Sequence, residues 1–155
     1  MTGPESAETA YATSPAHGNP LGPALALLDL VALIADPLVE RVIGCAIAVH
    51  RAVGPGLFES VYDRCLHLEF DANSVSHRGQ VPLTLTFRGQ RIPSVYRADF
   101  IVEDRLLVEL KTVDRFAPVH QSQMLTYLKL SGLRQGLLIN FNERRLVDGL
   151  KSFLR

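Results

Sequence analysis

The stretch LLVELKTV, residues 106–113, reads as a strand bound for a core, yet Glu109 and Lys111 stand inside it. Ionised side chains are almost never fully buried unless they are paired. Strand alternation puts Glu109 and Lys111 on one face and Val108 and Leu110 on the other. The preceding segment, YRADFIV (96–102), carries one acid, Asp99. If the two segments form a hairpin, register decides whether Asp99 joins Glu109. A three-residue loop, Glu103-Asp104-Arg105, sets the two acids opposite each other on one face. A two-residue loop sends them to opposite faces. A carboxylate pair therefore requires the longer loop, or a bulge that restores the phase.

Such a pair has a chemical consequence. Two carboxylates about 4 Å apart at an effective dielectric near 20 repel by about 4 kcal/mol. The net stability of a small domain is only roughly 5–15 kcal/mol, so positive charge must offset the repulsion. Lys111 supplies one charge. A divalent cation supplies two, and Mg²⁺ (or Mn²⁺) suits one or two carboxylates with waters and phosphate oxygens. Asp99, Glu109 and Lys111 in that arrangement suit phosphodiester hydrolysis, with Lys111 orienting water or neutralising developing charge. The plain alternative is a Glu–Lys pair at a sheet edge beside a solvated aspartate.

Working outward, the chain reads α-α-β-β-β-α-β-α, a mixed α/β (α+β) pattern. DPLVERVIGCAIAVHRAVG (36–54) starts with Asp36 as N-cap and Pro37 in the first turn. GPG (54–56) stops that helix, and a second follows with Phe58, Val61, Tyr62, Cys65 and Leu66 on its apolar side. QVPLTLTF (80–87) alternates as a strand, YRADFIV is the second strand and LLVELKTV the third. PVHQSQMLTYLKLSG (118–132) is a helix with Gly132 as C-cap, and QGLLINF (135–141) is a buried central strand. ERRLVDGLKSFL (143–154) is expected to close the chain as an amphipathic helix. Residues 1–35 are expected to be an extension, a disordered tail over 1–23 and then a short apolar helix over 24–35, with residues 36–155 as the one domain.

Composition excludes several classes. The formal net charge is zero, but residues 1–40 hold five acids and no Lys or Arg, leaving the body net +5. That suits an anionic partner. The two cysteines, Cys45 and Cys65, have neither disulfide-framework nor zinc spacing, as in a reduced, cytoplasmic protein. The 12-residue apolar run at 24–35 contains Asp29 and is too short to span a bilayer.

Three segments taken together resemble a known family. GPGLFESVY (54–62) resembles the signature of the GxxExxY proteins, with Gly56, Glu59 and Tyr62 in place. YRADFIVEDRLLVELKTV and HQSQMLTYLKLSGLRQGLLINF resemble that family's other segments, over residues 38 to 155. The family is placed in the PD-(D/E)XK nuclease superfamily, whose restriction-endonuclease-like core is a mixed central sheet flanked by helices. The resemblance implies Asp99 and Glu109 as metal ligands, Lys111 as the catalytic lysine, and Glu59 as a helical carboxylate near the metal. It implies Gln123 and Tyr127 as the QxxxY pair of RecB-like branches. Arg97, two residues before Asp99, and His120, one turn before Gln123, are candidates for substrate phosphate. His50, closing the first helix, is more structural.

The expectation is a Mg²⁺-dependent nuclease or nuclease-like phosphodiesterase acting on DNA or RNA, with a protein partner or homo-oligomer for targeting and no membrane role. The rivals are a non-catalytic nucleic-acid-binding module on the same fold and a protein-interaction domain docking through 24–35.

Overall fold

The computed structural model describes residues 35–155. The expectations for the extension therefore lie, up to residue 34, outside the described residues. Helix α1 (Pro37–Val53) begins at Asp36, whose side chain accepts the Leu38 N–H at 2.9 Å. That carboxylate also meets Arg105 through both oxygens, at 2.6 and 2.7 Å, and Gln135 at 3.1 Å. One residue thus caps the first helix and ties it to the starts of two strands. Helix α2 (Glu59–Ala72) follows the Gly-Pro-Gly turn.

Strands β1 (His77–Phe87), β2 (Gln90–Val102), β3 (Leu106–Lys111), β4 (Gln135–Asn140) and β5 (Leu150–Leu154) form one sheet in sequence order. β3 and β4 run parallel, joined by helix α3 (Pro118–Ser131); the other neighbours are antiparallel. The sheet is mixed and flanked by helices, as the sequence reading expects. On one face, α1 and α2 bury Val42, Ala46, Leu66 and Phe70 against Phe100, Val108 and Ile139. On the other, α3 packs Met124, Tyr127 and Leu128 against Leu107 and Leu138.

The β1–β2 turn is the two residues Arg88 and Gly89, both with positive φ (49° and 75°). Turns of that hand match the twist of the flanking strands. β1 and β2 both extend further than the alternation alone marks, to His77 and Gln90.

The C-terminus departs from expectation. In place of an amphipathic helix over 143–154, a single 3-10 turn (Leu146–Gly149) leads into β5. The reason is tertiary. β5 pairs with β4, Ile139 opposite Leu150 and Gly136 opposite Phe153, and so satisfies an otherwise open edge of β4. Leu150 packs into the α1–α2 side and Phe153 into the α3 side. A helix would have placed these two residues, three apart, on one face. Gly149, a poor helix residue, is required where it stands: a Cβ there would run into the Asn140 carbonyl oxygen.

Candidate functional site

The β2–β3 loop is the three-residue Glu103-Asp104-Arg105, with Phe100 opposite Val108 and Val102 opposite Leu106. That register carries Asp99 to Glu109. The backbone ladder ends one pair short of them, and their side chains take over the bonding. The Asp99 N–H donates to Glu109 Oε1 at 2.9 Å, and the Leu110 N–H donates to Asp99 Oδ2 at 2.8 Å. Each carboxylate is thus held by backbone across the strand gap. Lys111 Nζ lies 3.7 Å from Glu109 Oε2.

Glu109 is only 2% exposed. Burial, then the neighbouring Asp99 charge and more weakly Glu59, push its carboxyl up to about 8, against the pull of the Asp99 N–H and Lys111. Burial raises the Asp99 carboxyl too, opposed by the Leu110 N–H and Lys111. Two neighbouring acids both raised on burial form a site short of positive charge.

Glu59 reaches the same pocket from the first turn of α2. Its carboxyl is raised by burial, lowered by Lys111 and raised again by Asp99 and Asp63. A pocket of about 320 Å³ is lined by Glu59, Ser60, Asp63, Gln80, Asp99 and Leu110. Tyr62 turns out to serve the fold. Its buried ring stacks on Phe141 at 4.4 Å. Its hydroxyl donates to the Gly54 carbonyl at 2.6 Å and accepts the Leu57 N–H at 3.2 Å. It therefore clamps the Gly-Pro-Gly turn, where Gly54 (φ 70°) and Gly56 (φ 92°) take left-handed backbone. The spacing Gly56–Glu59–Tyr62 is the geometry of a stapled turn that presents one carboxylate.

On α3, Gln123 Nε2 donates to Tyr127 Oη at 2.6 Å, so these two do act as a unit. Burial raises the Tyr127 hydroxyl, the Gln123 bond lowers it, and the charges of Glu109 and Asp99 raise it further. His120 is engaged elsewhere: its Nδ1 accepts the Ala117 N–H at 3.0 Å at the helix start. Arg97 is exposed on β2 opposite Pro82, and no hydrogen bond ties it to the acids. His50 binds the Glu143 carbonyl through Nε2 at 2.8 Å, a structural role.

The sequence reading missed three residues. Asp63 lies one helical turn after Glu59, a spacing that could have marked it. Gln80 stands across from Asp99, its Nε2 at 3.5 Å from Asp99 Oδ1 and 3.4 Å from Asp63 Oδ2, long for hydrogen bonds. Nothing local announces it, because its position depends on the β1–β2 register. Asn140, buried at the end of β4, donates to the Val113 carbonyl at 2.7 Å and accepts the Val113 N–H at 3.0 Å. It pins the chain just beyond Lys111.

Among the described residues no three His, Cys, Asp or Glu side chains close into a ready-made metal cage. The donors present are hard carboxylate oxygens, two of them converging, which fits the way Mg²⁺ binds through one or two carboxylates and retains waters. Size does not mark the site. A larger cavity, about 440 Å³, lies at the opposite ends of β3 and β4, but its Arg105 is spent on Asp36.

No helix among the described residues is long and apolar enough to cross a membrane. No curated protein matches the sequence. The crystal structure of SSO0001 is similar with a TM-score of 0.50 at 20% identity, over 63% of this chain and 50% of that one. The chain thus spans half the length of that solved chain, and the likeness speaks to fold alone. A family model for the PD-(D/E)XK nuclease superfamily matches residues 36–153, nearly the whole described domain. With the mixed sheet and the paired acids of β2 and β3 already in view, the chain belongs to the PD-(D/E)XK nuclease superfamily.

Proposed function

We propose that this domain is a metal-dependent nuclease that hydrolyses phosphodiester bonds in DNA or RNA, within the GxxExxY group of the superfamily. The observation that carries the reading is the interlocked pair, Asp99 N–H donating to Glu109 and Leu110 N–H to the Asp99 carboxylate, with the Glu109 carboxyl pushed up to about 8. A carboxylate pair this buried and this short of cationic charge is stable in its ionised form only with added positive charge.

Asp99 and Glu109 would hold Mg²⁺ or Mn²⁺, which bound there supplies positive charge to a phosphate. Lys111, beside Glu109, carries the remaining cation and orients water for attack. Glu59, with its raised carboxyl, is able to accept or return a proton at the edge of the pocket. Gln123 holds the Tyr127 oxygen and leaves the phenolic O–H free to donate to a phosphate oxygen. The unbridged Cys45 and Cys65 suit a reducing, cytoplasmic setting.

Labelled single- and double-stranded DNA and RNA, incubated with Mg²⁺, Mn²⁺ or EDTA, test the proposal. Metal-dependent cleavage that disappears in Glu109→Ala and Lys111→Ala supports it. Binding without cleavage in every metal condition would make the domain a non-catalytic nucleic-acid module.

A further inference from the structure

The β1–β2 hairpin outruns the sheet. β3 pairs with β2 only from Phe100 to Val102, so among the described residues no strand lies on that side of Gln90 to Asp99. Across Asp99 the packing changes sides: Ala98 joins the α3-side cluster while Phe100 joins the other. The hairpin therefore swings toward α3. Leu83 and Ala98 are buried there, and the same face continues outward into exposed side chains, with no covering element among the described residues. Tyr96, opposite Leu83, is 48% exposed, and Phe87, at the turn, 60%. Leu83 and Phe87 are four residues apart, about 13 Å along the strand.

The other ingredient is charge. Residues 84–97, TLTFRGQRIPSVYR, contain three arginines and no acid. Arg88, Arg91 and Arg97 are all exposed, and among the described residues none meets an acidic partner. Arg88 lies over the Phe87 ring, 5.5 Å from its centre. The strip also runs into the candidate site. The Tyr96 ring is 5.3 Å from the Tyr127 ring, and a groove of about 370 Å³ between β2 and α3 is lined by Tyr96, Ser122, Gln123 and Tyr127.

Exposed aromatic rings lie on one face of the hairpin, while Arg88 stands at its turn and Arg91 and Arg97, opposite Thr86 and Pro82, line its other face. A two-stranded arm of this kind suits single-stranded nucleic acid: every base has a face to stack, and the phosphates wrapping its edge meet charges that neutralise them. A duplex keeps its bases stacked on one another and has none to offer. We propose that the β1–β2 hairpin is a single-strand-binding arm, laying bases on Tyr96 and Phe87 and leading the strand to the Asp99–Glu109 site. This rests on the nuclease reading for the direction of travel, but the binding is testable apart from cleavage.

The test is binding of the full chain to fluorescent oligonucleotides in EDTA, as single-stranded DNA, single-stranded RNA and duplex DNA, over a salt series. Tyr96→Ala and Phe87→Ala should each weaken single-strand binding about 5- to 100-fold, with little change for duplex. Tyr96→Phe, which keeps the ring, should restore it and guard against a folding artefact. Arg88→Gln with Arg91→Gln should lower the slope of log K against log salt by about 0.7 per arginine. The DNA and RNA arms tell which strand is preferred. Wild-type binding that favours duplex, or single-strand binding indifferent to all four variants, overturns the arm. Self-association of the chain that Phe87→Ala abolishes, with oligonucleotide binding unchanged, assigns the strip to a second copy and likewise overturns it. If Glu109→Ala abolishes cleavage while the hairpin variants bind as wild type, the nuclease reading stands and the arm falls. If wild type binds through the arm yet cleaves nothing, the reverse holds.

Discussion

Replacing Glu109 by Gln should make the metal-free protein more stable, by an amount that grows with pH. Between about 4.5, its ordinary value, and about 8, Glu109 keeps a proton in the folded chain that it has lost in the unfolded one. A group raised on folding contributes stability in full below its unfolded value, and that contribution fades as pH rises to the folded value. At pH 7 the 2.5-unit gap from the ordinary value corresponds to about 3 kcal/mol, at 1.36 kcal/mol per unit, and at pH 5 to under about 1 kcal/mol. Gln removes the ionisation and retains an oxygen for the Asp99 N–H. Lys111 loses one partner but stays within the influence of Asp99 and Glu59. The expected gain of about 3 kcal/mol raises Tm by roughly 6–12 °C at pH 7, at 2–4 °C per kcal/mol. Urea denaturation in EDTA at pH 5, 6, 7 and 8 measures it. Saturating Mg²⁺, at about 100 times its Kd, should then stabilise wild type by about 2.7 kcal/mol and the variant hardly at all. A variant less stable than wild type at pH 7, or a difference that does not widen from pH 5 to pH 8, refutes the reasoning.

Tyr62→Phe leaves the Gly54 carbonyl and the Leu57 N–H without their partner, and should cost about 1–3 kcal/mol by thermal denaturation, with weaker Mg²⁺ binding as Glu59 loses its rigid turn. Asp36→Ala should cost about 0.5–2 kcal/mol for the lost cap. The Asp36 carboxyl is raised by burial but lowered more by the Leu38 N–H, Gln135 and Arg105, so its share of stability is lost as pH falls below the ordinary value. Acid titration followed by circular dichroism should show wild type, but not Asp36→Ala, losing that share. Gly149→Ala should loosen the β4–β5 pairing, because the new methyl meets the Asn140 carbonyl oxygen; faster amide exchange at Leu150 to Leu154 is the readout.

The residues of this chain determine a good deal unaided. Asp36-Pro37 starts a helix, Gly-Pro-Gly breaks it, and the side-chain pattern marks residues 80–87, 96–102 and 106–113 as strands, because capping, turn strain and pleat parity are local physics. The motifs carrying Asp99, Glu109, Lys111, Gln123 and Tyr127 were legible as well, and so was the three-residue loop that a carboxylate pair would need. Tertiary structure alone decided which loop formed, that Gln80 faces Asp99, that Tyr62 belongs to the turn, and that residues 150–154 are a strand. The physical reason is common to all four. Each depends on a partner far away in sequence: an open backbone edge, an opposing strand or a buried carbonyl. Such a partner outweighs the few tenths of a kcal/mol per residue that separate one local conformation from another.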